Sequence, residues 1–548
     1  MKKLSTSLLL LCALIISCNS QQTKTVKSEE QQDNAKSEKK KKITPRDYSI
    51  TRSNAYNDIF FDSLTMEKFI SEKHIPDTLS PRIRSFYNAR NYQFAWFSSN
   101  GLTEQALGFW NLHNFDTYEG DTALKDKPLQ RKMDELIADS SFVVKASDRS
   151  MINTELSLTT HFIEYSLNAY DKAFLKRKEM ERFIPLKKTD ALDLADSLIN
   201  KKHKDNKYFD DVNTAYKLLK EQLHNYVTIA KAGGWPQLSM DAKKIKKGTS
   251  SPSISNLKKR LAITSDLSGS DSSQVYDDTL VTAIKKFQQR MGYTPNGILS
   301  ASLIKDLNVP VLQRIEQLLI NLNRMRWMPQ QTAGKMILVN IPEFVLHFVD
   351  GKEKVFDMNV VVGKEGHNTM MFTGKLSTIV FSPYWNVPPS IVKKELLPKM
   401  ASNPNYLASQ EMEVTGNEGG LPVIRQKPGE KNSLGKVKFL FPNSFNIYFH
   451  DTPAKSLFSQ DKRAYSHGCI RLSDPLKMAE TLLKDNSQWP EDKIMTAMNS
   501  GNEQFVKIKD PIPVFITYYT AWVDDNGLLN LRDDIYKRDA NIKSKMFL

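Results

Sequence analysis

A cysteine and a histidine in the last quarter of the chain have the types and spacing of a nucleophile and its base. Cys469 lies in the segment Tyr-Ser-His-Gly-Cys-Ile-Arg-Leu at residues 465–472, and His450 precedes it by nineteen residues, at the end of a predicted strand. The thiolate is the reactive form of cysteine, and a nearby histidine generates it. Gly468 allows close approach of the backbone, whose successive N–H groups can hold a developing oxyanion. Together these features indicate acyl transfer.

The N-terminus predicts export. Met1, Lys2 and Lys3 form a short basic start, and the apolar stretch at residues 8–16 is too short to span a bilayer comfortably. It ends in Ile-Ile-Ser-Cys, which resembles the bacterial lipobox, so residues 1–18 are predicted to be a lipoprotein signal with Cys18 as the lipidated residue. The alternative is an ordinary signal peptide with an incidental cysteine. Residues 19–46 are polar and are predicted to be a disordered tether.

Cysteine usage favours a reactive thiol. The chain has three cysteines. Cys12 lies in the removable signal and Cys18 is assigned to lipid, so Cys469 has no intramolecular partner. In an oxidising exported compartment such a cysteine is either buried and inert or kept for its reactivity. The neighbouring His450 favours reactivity.

Length and charge limit the number of domains and the classes of binding partner. A chain of 548 residues exceeds a single hydrophobic core and predicts two to four domains, and 40% apolar with 25% charged residues is typical of folded proteins. The net charge of +15 suits nucleic acid, an anionic membrane or an acidic polymer. Export argues against nucleic acid. One cysteine and scattered histidines lack the spacing of metal ligands, so no metal site is predicted.

Helical segments occupy the first half of the chain. Residues 47–250 show helical periodicity, notably at 154–173 and 207–232, and predict a helical scaffold domain whose aromatic residues at 86–97 lie in its core. Residues 251–310 predict a separate small helical domain. Residues 311–334 predict a linker helix that leads into the next domain.

The second half of the chain predicts a β-rich domain at residues 335–523. Short β-type runs occur at 336–341, 344–349, 355–363, 376–382, 438–441 and 445–450, and helices are predicted at 474–484 and 490–498. An irregular insertion at 388–428 is long enough to form a lid. Residues 513–523 predict one closing strand, and 524–548 a C-terminal tail. The predicted fold class is α+β.

Two segments carry a family resemblance. The pattern of a histidine, a spacer and then Ser-any-Gly-Cys-any-Arg resembles the YkuD-type L,D-transpeptidase catalytic domain, and His450, Ser466, Gly468, Cys469 and Arg471 fill every position. Residues 283–297 resemble the small three-helix peptidoglycan-binding domain, although a helical spacer without glycan binding is the alternative. The whole arrangement is similar to the large multi-domain periplasmic branch of the family.

The resemblance assigns roles residue by residue. Cys469 becomes the nucleophile and His450 the base, with a depressed thiol pKa expected from their pairing. The amides of His467, Gly468 and Cys469 become oxyanion donors, and Ser466 steadies the loop. Arg471 either holds the loop or meets a substrate carboxylate. The remaining substrate-binding candidates are Tyr448, Trp385 and Asn386. The group that orients His450 is left open between a side chain and a backbone carbonyl.

The implied reaction cross-links peptidoglycan. Cys469 attacks a tetrapeptide stem, expels the terminal D-alanine, and passes the acyl group to a side-chain amine of a second stem, which gives a 3→3 cross-link. No metal or cofactor is needed, and carbapenems are expected to acylate the same cysteine. A hydrolase of the same fold and a non-catalytic, lipid-anchored wall-binding protein are the alternatives. The expected partners are stem peptides, glycan and, through the lipid, the periplasmic face of the outer membrane.

Overall fold

The structure is a computed structural model that describes residues 43–118, 126–138, 142–169, 182–200, 213–269, 272–328 and 334–548. The predictions of a signal, a lipidated Cys18 and most of the tether fall outside these residues. Within the described ranges, no helix has both the length and the apolar character needed to cross a membrane.

A helical domain forms the first part of the described chain. Its first helix, Ser63–Glu72, is capped by Asp62, whose side chain accepts a hydrogen bond from the Thr65 amide. The aromatic residues predicted for the core are confirmed there, since Phe94, Trp96 and Phe97 are fully buried. The longer helices are Ser63–Glu72, Ser80–Ala89, Glu104–Tyr118, Lys127–Ala138, Arg149–Ala169, Ala191–Ile199 and Thr214–Lys231, and a short hairpin joins β1 (Phe97–Ser98) and β2 (Gly101–Leu102).

Two segments predicted to lie outside this domain belong to its core. The helix Val311–Met325, expected to be a linker, buries Ile315, Leu318 and Leu322 in the same hydrophobic cluster as the scaffold helices. Residues 524–548, expected to be a tail, contain a strand and a helix whose Ile542 also joins that cluster. Both differences have one cause. Each segment has an apolar stripe that needs a buried partner, and the scaffold supplies it.

A small helical domain follows the scaffold. Its helices are Pro252–Ile263, Asp278–Arg290 and Ala301–Leu307. They enclose a separate core that includes Leu257, Ile284 and Leu303. Leu238 and Ile245, which precede the predicted boundary at residue 251, also lie in this core.

The β-rich half forms a sheet that closes on itself. The strands are β3 (Lys335–Asn340), β4 (Val345–Asp350), β5 (Glu353–Gly363), β6 (Phe372–Phe381), β10 (Val437–Leu440), β11 (Phe449–His450), β12 (Ala464–Ser466), β13 (Ile470–Leu472) and β14 (Gln504–Thr517). Their order in the sheet is β12-β5-β13-β11-β10-β6-β14-β3-β4, and β4 also pairs with β5. Closure leaves most strands without an unpaired edge and encloses a core of alternating apolar residues.

The insertion expected as a lid is a subdomain with its own small core. Its strands β7 (Trp385–Asn386), β8 (Met412–Glu418) and β9 (Leu421–Gln426) form a separate sheet in the order β7-β9-β8. Ile391, Val392 and Leu396 pack with Ile424 beneath it. Helical turns cover residues 389–402 and Tyr406–Ser409. Because β7 belongs to this sheet, the subdomain begins before residue 388.

The predicted closing strand is divided. β14 ends at Thr517, and β15 (Ala521–Val523) pairs with β16 (Leu529–Leu531) in a different, two-stranded sheet. Ala521 and Leu529 are buried with the scaffold core rather than the barrel core. Helices Pro475–Leu483 and Glu491–Asn499 pack beside the barrel core, and Arg538–Met546 ends the chain. The predicted α+β fold class is confirmed.

Candidate active site

Adjacent strands bring the predicted nucleophile and base together. β11 and β13 run parallel, with Phe449 opposite Ile470 and His450 opposite Arg471. Phe449 and Ile470 face the barrel core. Because side chains alternate along a strand, Cys469, His450 and Arg471 lie on the opposite face. In this register Cys469, which directly precedes β13, is diagonal to His450.

A backbone carbonyl orients His450. Its Nδ1 lies 2.5 Å from the Asp451 carbonyl oxygen, so Nδ1 carries the proton and Nε2 is left as the acceptor. The Asp451 carboxylate is engaged elsewhere, accepting from the Lys436 amide at 2.9 Å and from Lys455 Nζ at 2.7 Å. Of the two possibilities left open by the sequence, the structure therefore has the carbonyl.

Burial keeps His450 neutral. The residue is 4% exposed, and this desolvation, together with the positive charge of Arg471, lowers the pKa of His450 to about 3. Lys438 lies directly opposite His450 on β10, and its charge lowers the pKa further. At neutral pH the imidazole is unprotonated and able to accept a proton.

Ser466 closes the loop that carries the cysteine. Its Oγ donates to the Cys469 carbonyl at 2.5 Å and accepts from the Gly468 amide at 3.1 Å. Gly468 has φ of +119°, a conformation that non-glycine residues rarely adopt. The predicted steadying role of Ser466 agrees with these bonds. The Gly468 amide, however, is already engaged, so the expectation that it donates to an oxyanion is not met.

The amides on either side of Gly468 remain candidates for an oxyanion site. Among the described residues, no acceptor is found for the N–H of Cys469 or of His467. The Cys469 amide adjoins the sulfur within the same residue. It is therefore the donor best placed for charge that develops on a carbonyl attacked by that sulfur.

The resting sulfur is a thiol. Cys469 is half-buried, and its Sγ lies 3.7 Å from the Asn446 carbonyl oxygen and within hydrogen-bond reach of the Tyr448 hydroxyl. Burial raises the pKa of Cys469 above its ordinary value, although Tyr448 and Arg471 oppose that effect. The depressed thiol pKa expected from the sequence is therefore wrong for this resting state.

Two further predicted residues lie beside the sulfur. Tyr448 is on the same face as His450, with ring centroids 5.8 Å apart, and burial followed by the nearby Cys469 raises the pKa of Tyr448. Arg471 has a buried Nε with no hydrogen-bond partner among the described residues. A buried guanidinium nitrogen without an acceptor is costly.

The lid subdomain contacts the catalytic loop through one polar pair. His467 Nε2 lies 2.6 Å from Oε1 of Glu395, which belongs to the helical part of the lid. Trp385 and Asn386, predicted to line the substrate groove, form β7 within the lid sheet, where Trp385 packs against the lid core. Neither has a described contact with Cys469 or His450.

One asparagine ties the base of the lid together. Asn432 is fully buried, and its Nδ2 donates to the carbonyls of Pro383 and Lys427, each at 2.9 Å. The Pro383 carbonyl lies where the chain enters the lid, and the Lys427 carbonyl lies where the chain leaves it. Asn432 thus fixes both ends of the insertion against the barrel.

Sequence reasoning missed three residues that touch the loop. Thr369 donates to the Gly468 carbonyl at 2.7 Å, Glu395 reaches His467, and Asn446 supplies the carbonyl next to Sγ. Thr369 and Glu395 are far from Cys469 in sequence, and no local motif links either residue to the catalytic loop. For Asn446, its position shortly before the predicted strand end is a weak signal.

Family models match three parts of the chain. Residues 334–511 match the L,D-transpeptidase catalytic domain, residues 81–223 match a scaffold domain, and residues 250–307 match a peptidoglycan binding domain. The first match contains every predicted site residue of the barrel and the lid. The third covers the three helices of the small domain.

A curated relative matches part of the chain. A Haemophilus influenzae protein provisionally named as an L,D-transpeptidase is 33% identical over 243 residues, which are 41% of this chain and 49% of that protein. The match thus spans about half the length of that relative.

L,D-transpeptidase structures from Stackebrandtia nassauensis and Xylanimonas cellulosilytica are 16% and 13% identical. They cover 51% and 50% of this chain, and 96% and 97% of their own, with TM-scores of 0.21 and 0.16. The family models are therefore the main similarity: residues 334–511 match the L,D-transpeptidase catalytic domain, in one chain with matches to a scaffold domain and a peptidoglycan binding domain.

Proposed function

We propose that this protein is an L,D-transpeptidase that forms 3→3 peptidoglycan cross-links through a thioester on Cys469. The observation that carries the proposal is the pairing of β11 with β13. It sets the cysteine diagonal to a neutral histidine whose Nδ1 is held by the Asp451 carbonyl. A nucleophile, an oriented base and unengaged amides on one face are the parts that acyl transfer needs.

The proton moves during attack rather than before it. Burial raises the thiol pKa of Cys469 and lowers the pKa of His450 to about 3, so both groups are neutral near pH 7. The sulfur leaves Asn446 and Tyr448 and turns toward His450 Nε2, a side-chain rotation that leaves the loop in place. Nε2 then takes the thiol proton as the sulfur bonds to the donor carbonyl carbon.

The first half-reaction ends in a thioester. The tetrahedral oxyanion is stabilised by the Cys469 amide, with the His467 amide as a second donor. Collapse breaks the peptide bond before the terminal D-alanine, and His450 returns its proton to the departing amine. In the second half-reaction an acceptor side-chain amine attacks the thioester and loses a proton to His450, which re-protonates the sulfur.

Charge on this face suits a peptide with free carboxylates. Arg471 presents a buried, unpartnered Nε next to the sulfur. Arg471 as a whole is half-buried, so a carboxylate of the stem peptide would pair with the accessible part of its guanidinium and anchor the donor with its scissile bond near Cys469. Lys438, on the other side of His450, is already bonded to the Tyr384 carbonyl at 3.2 Å and lies 3.5 Å from Glu503.

The remaining features extend the proposal beyond the catalytic domain. The peptidoglycan binding domain supports glycan as the surface on which the enzyme works. The lipobox-like segment supports attachment through a lipid on Cys18, with the periplasmic face of the outer membrane as the location. Carbapenem acylation of Cys469 belongs to the same proposal.

Purified stem peptides test the reaction. The full chain is incubated with a tetrapeptide stem, and products are separated by mass spectrometry. A cross-linked dimer with release of D-alanine supports transfer. Free tripeptide alone would identify a hydrolase, and no turnover, with glycan binding retained, would identify a wall-binding protein.

A further inference from the structure

A buried threonine from a distant part of the chain holds the carbonyl of Gly468. The Thr369 hydroxyl donates to that oxygen at 2.7 Å, and the residue has no exposed surface. Its Oγ1 also accepts from the Gly363 amide at 2.9 Å. With one acceptor and one donor fixed, the hydroxyl has a single orientation.

Holding this carbonyl fixes the amide of the nucleophile. The Gly468 carbonyl and the Cys469 N–H belong to one planar trans peptide and point in opposite directions. Gly468 has φ of +119°, and a glycine can rotate between several conformations at little cost. The bond from Thr369 opposes such rotation and keeps the Cys469 N–H directed away from Thr369.

The approach of Thr369 depends on close packing against β5. A Cβ built on Gly363 would lie 2.0 Å from the His367 carbonyl oxygen, so the turn at residues 367–369 fits only against a glycine. This packing lets the threonine reach both Gly363 and Gly468. The contact is therefore set by the barrel strand as well as by the loop.

Tyr536 hydrogen-bonds to the backbone on both sides of this contact, at Thr369 and at Gly363. Its hydroxyl accepts from the Thr369 amide at 3.2 Å and donates to the Gly363 carbonyl at 2.6 Å. The Tyr536 amide in turn donates to the Tyr518 hydroxyl at 2.9 Å. Tyr536 precedes the C-terminal helix, whose Ile542 packs in the scaffold core. A continuous set of hydrogen bonds thus runs from the segment before that helix to the catalytic loop.

We propose that Thr369 is a positioning residue that aims the Cys469 N–H at the oxyanion, and that Tyr536 supports it. The role rests on the proposed function. This role matters for acylation of Cys469 but not for its alkylation. Acylation builds negative charge on a carbonyl oxygen and needs the amide, whereas alkylation of the same sulfur by iodoacetamide develops no such charge. Loss of Thr369 should therefore slow acylation and leave alkylation unchanged.

The test compares these two reactions of Cys469 in the full chain. A carbapenem serves as the acyl donor: the sulfur bonds to the ring carbonyl carbon, the ring C–N bond breaks, and the thiol proton passes to the nitrogen. Thr369→Val removes the hydroxyl at nearly constant volume and should slow acylation roughly 10- to 100-fold, the scale of a misdirected oxyanion donor. Thr369→Ser should restore most of the rate, and Tyr536→Phe should give a smaller loss in the same direction.

Thr517→Val is the matched control. Thr517 is also a buried threonine whose hydroxyl donates to a backbone carbonyl, that of Val339 at 3.2 Å, but it lies on β14 away from the loop. This variant should acylate and alkylate at the parental rates. Equal acylation by Thr369→Val and the parent overturns the positioning role, as does a parallel loss of alkylation and acylation that Thr369→Ser does not rescue. A parent that alkylates but is acylated by neither carbapenem nor stem peptide instead overturns the proposed function.

Discussion

Glu395 and His467 join the lid to the catalytic loop, with 2.6 Å between Oε1 and Nε2. His467 lies two residues before Cys469, so the pair ties the lid directly to the nucleophile's backbone. Closed lids limit the access of water to reactive intermediates. The thioester should consequently be protected while this bond is made.

The first prediction concerns the partition of that thioester. Glu395→Ala should lower the ratio of cross-linked product to hydrolysed tripeptide, because a lid without the Glu395–His467 hydrogen bond admits water. Alkylation of Cys469 should be unaffected. Mass spectrometry of stem-peptide products measures the ratio, and Glu418→Ala, on the exposed end of the lid hairpin, is the matched control. An unchanged ratio in Glu395→Ala would show that the Glu395–His467 hydrogen bond has no part in excluding water.

A point substitution is a better probe of the lid than a deletion. Removing residues 391–420 would take away β8 and leave β9 without its main partner. Ile424, which is almost fully buried, would then be exposed. Such a variant would test folding of the subdomain together with its function. Glu395→Ala changes the contact alone.

The second prediction concerns the nucleophile. Cys469→Ala should abolish both cross-linking and carbapenem labelling while the melting temperature stays close to that of the parent. The side chain is half-buried and outside the barrel core, so loss of one sulfur removes little packing. Activity in the alanine variant would exclude a thioester on this residue.

How much of the site the sequence predicts depends on how local its contacts are. Ser466, Gly468 and Cys469 bond to each other within four residues, so a short motif predicts them. His450 is recoverable because β11 and β13 are adjacent strands. Thr369 and Tyr536 were missed because closure of the barrel and docking of the C-terminal segment bring them to the loop, and neither event has a local signature.

The fold shows the same division. Helical periodicity predicts the scaffold helices well, since each buries one stripe. It does not reveal which core a helix joins, and so the sequence predicts Val311–Met325 to be part of a linker. The pattern of residues 524–548 predicts a tail because the helix Arg538–Met546 is mostly polar and buries only Ile542 and Met546.

The third prediction uses a histidine remote from the cysteine. Burial opposes charge on His347, but hydrogen bonds to Asp357 at 2.7 Å and Glu343 at 3.2 Å outweigh it and raise the pKa of His347 to about 9. A pKa raised in the folded state gives stability that is complete below the unfolded value of about 6.5 and is lost as pH rises through about 9.

His347→Gln should therefore destabilise the protein by about 3 kcal/mol at pH 6 and by much less at pH 10. Melting temperatures of the parent and variant, compared at pH 6, 8 and 10, measure this difference. His224→Gln, on the exposed side of the helix Thr214–Lys231, is the matched control for replacement of a histidine by glutamine. A difference between parent and His347→Gln that stays constant with pH would mean that the histidine is uncharged.

The last prediction separates the two histidines near the sulfur. His450 carries its proton on Nδ1 and offers Nε2, whereas His467 is partly exposed and bonds to the lid. His450→Ala should lose about three powers of ten in acylation rate, as expected when a nucleophile loses its base. His467→Ser should keep most of that rate and lose part of its preference for transfer over hydrolysis.

The pH profile of alkylation decides how the base acts. Because burial raises the thiol pKa of Cys469 and lowers the pKa of His450 to about 3, the resting pair is neutral. The iodoacetamide rate should therefore still be climbing as pH rises above the ordinary cysteine value of about 8.5, with no plateau near neutrality, and His450→Ala should leave that profile nearly unchanged. A thiolate plateau below pH 7 that disappears in His450→Ala would establish a preformed ion pair instead. Loss of acylation in His467→Ser with full activity in His450→Ala would reverse the assignment of the base.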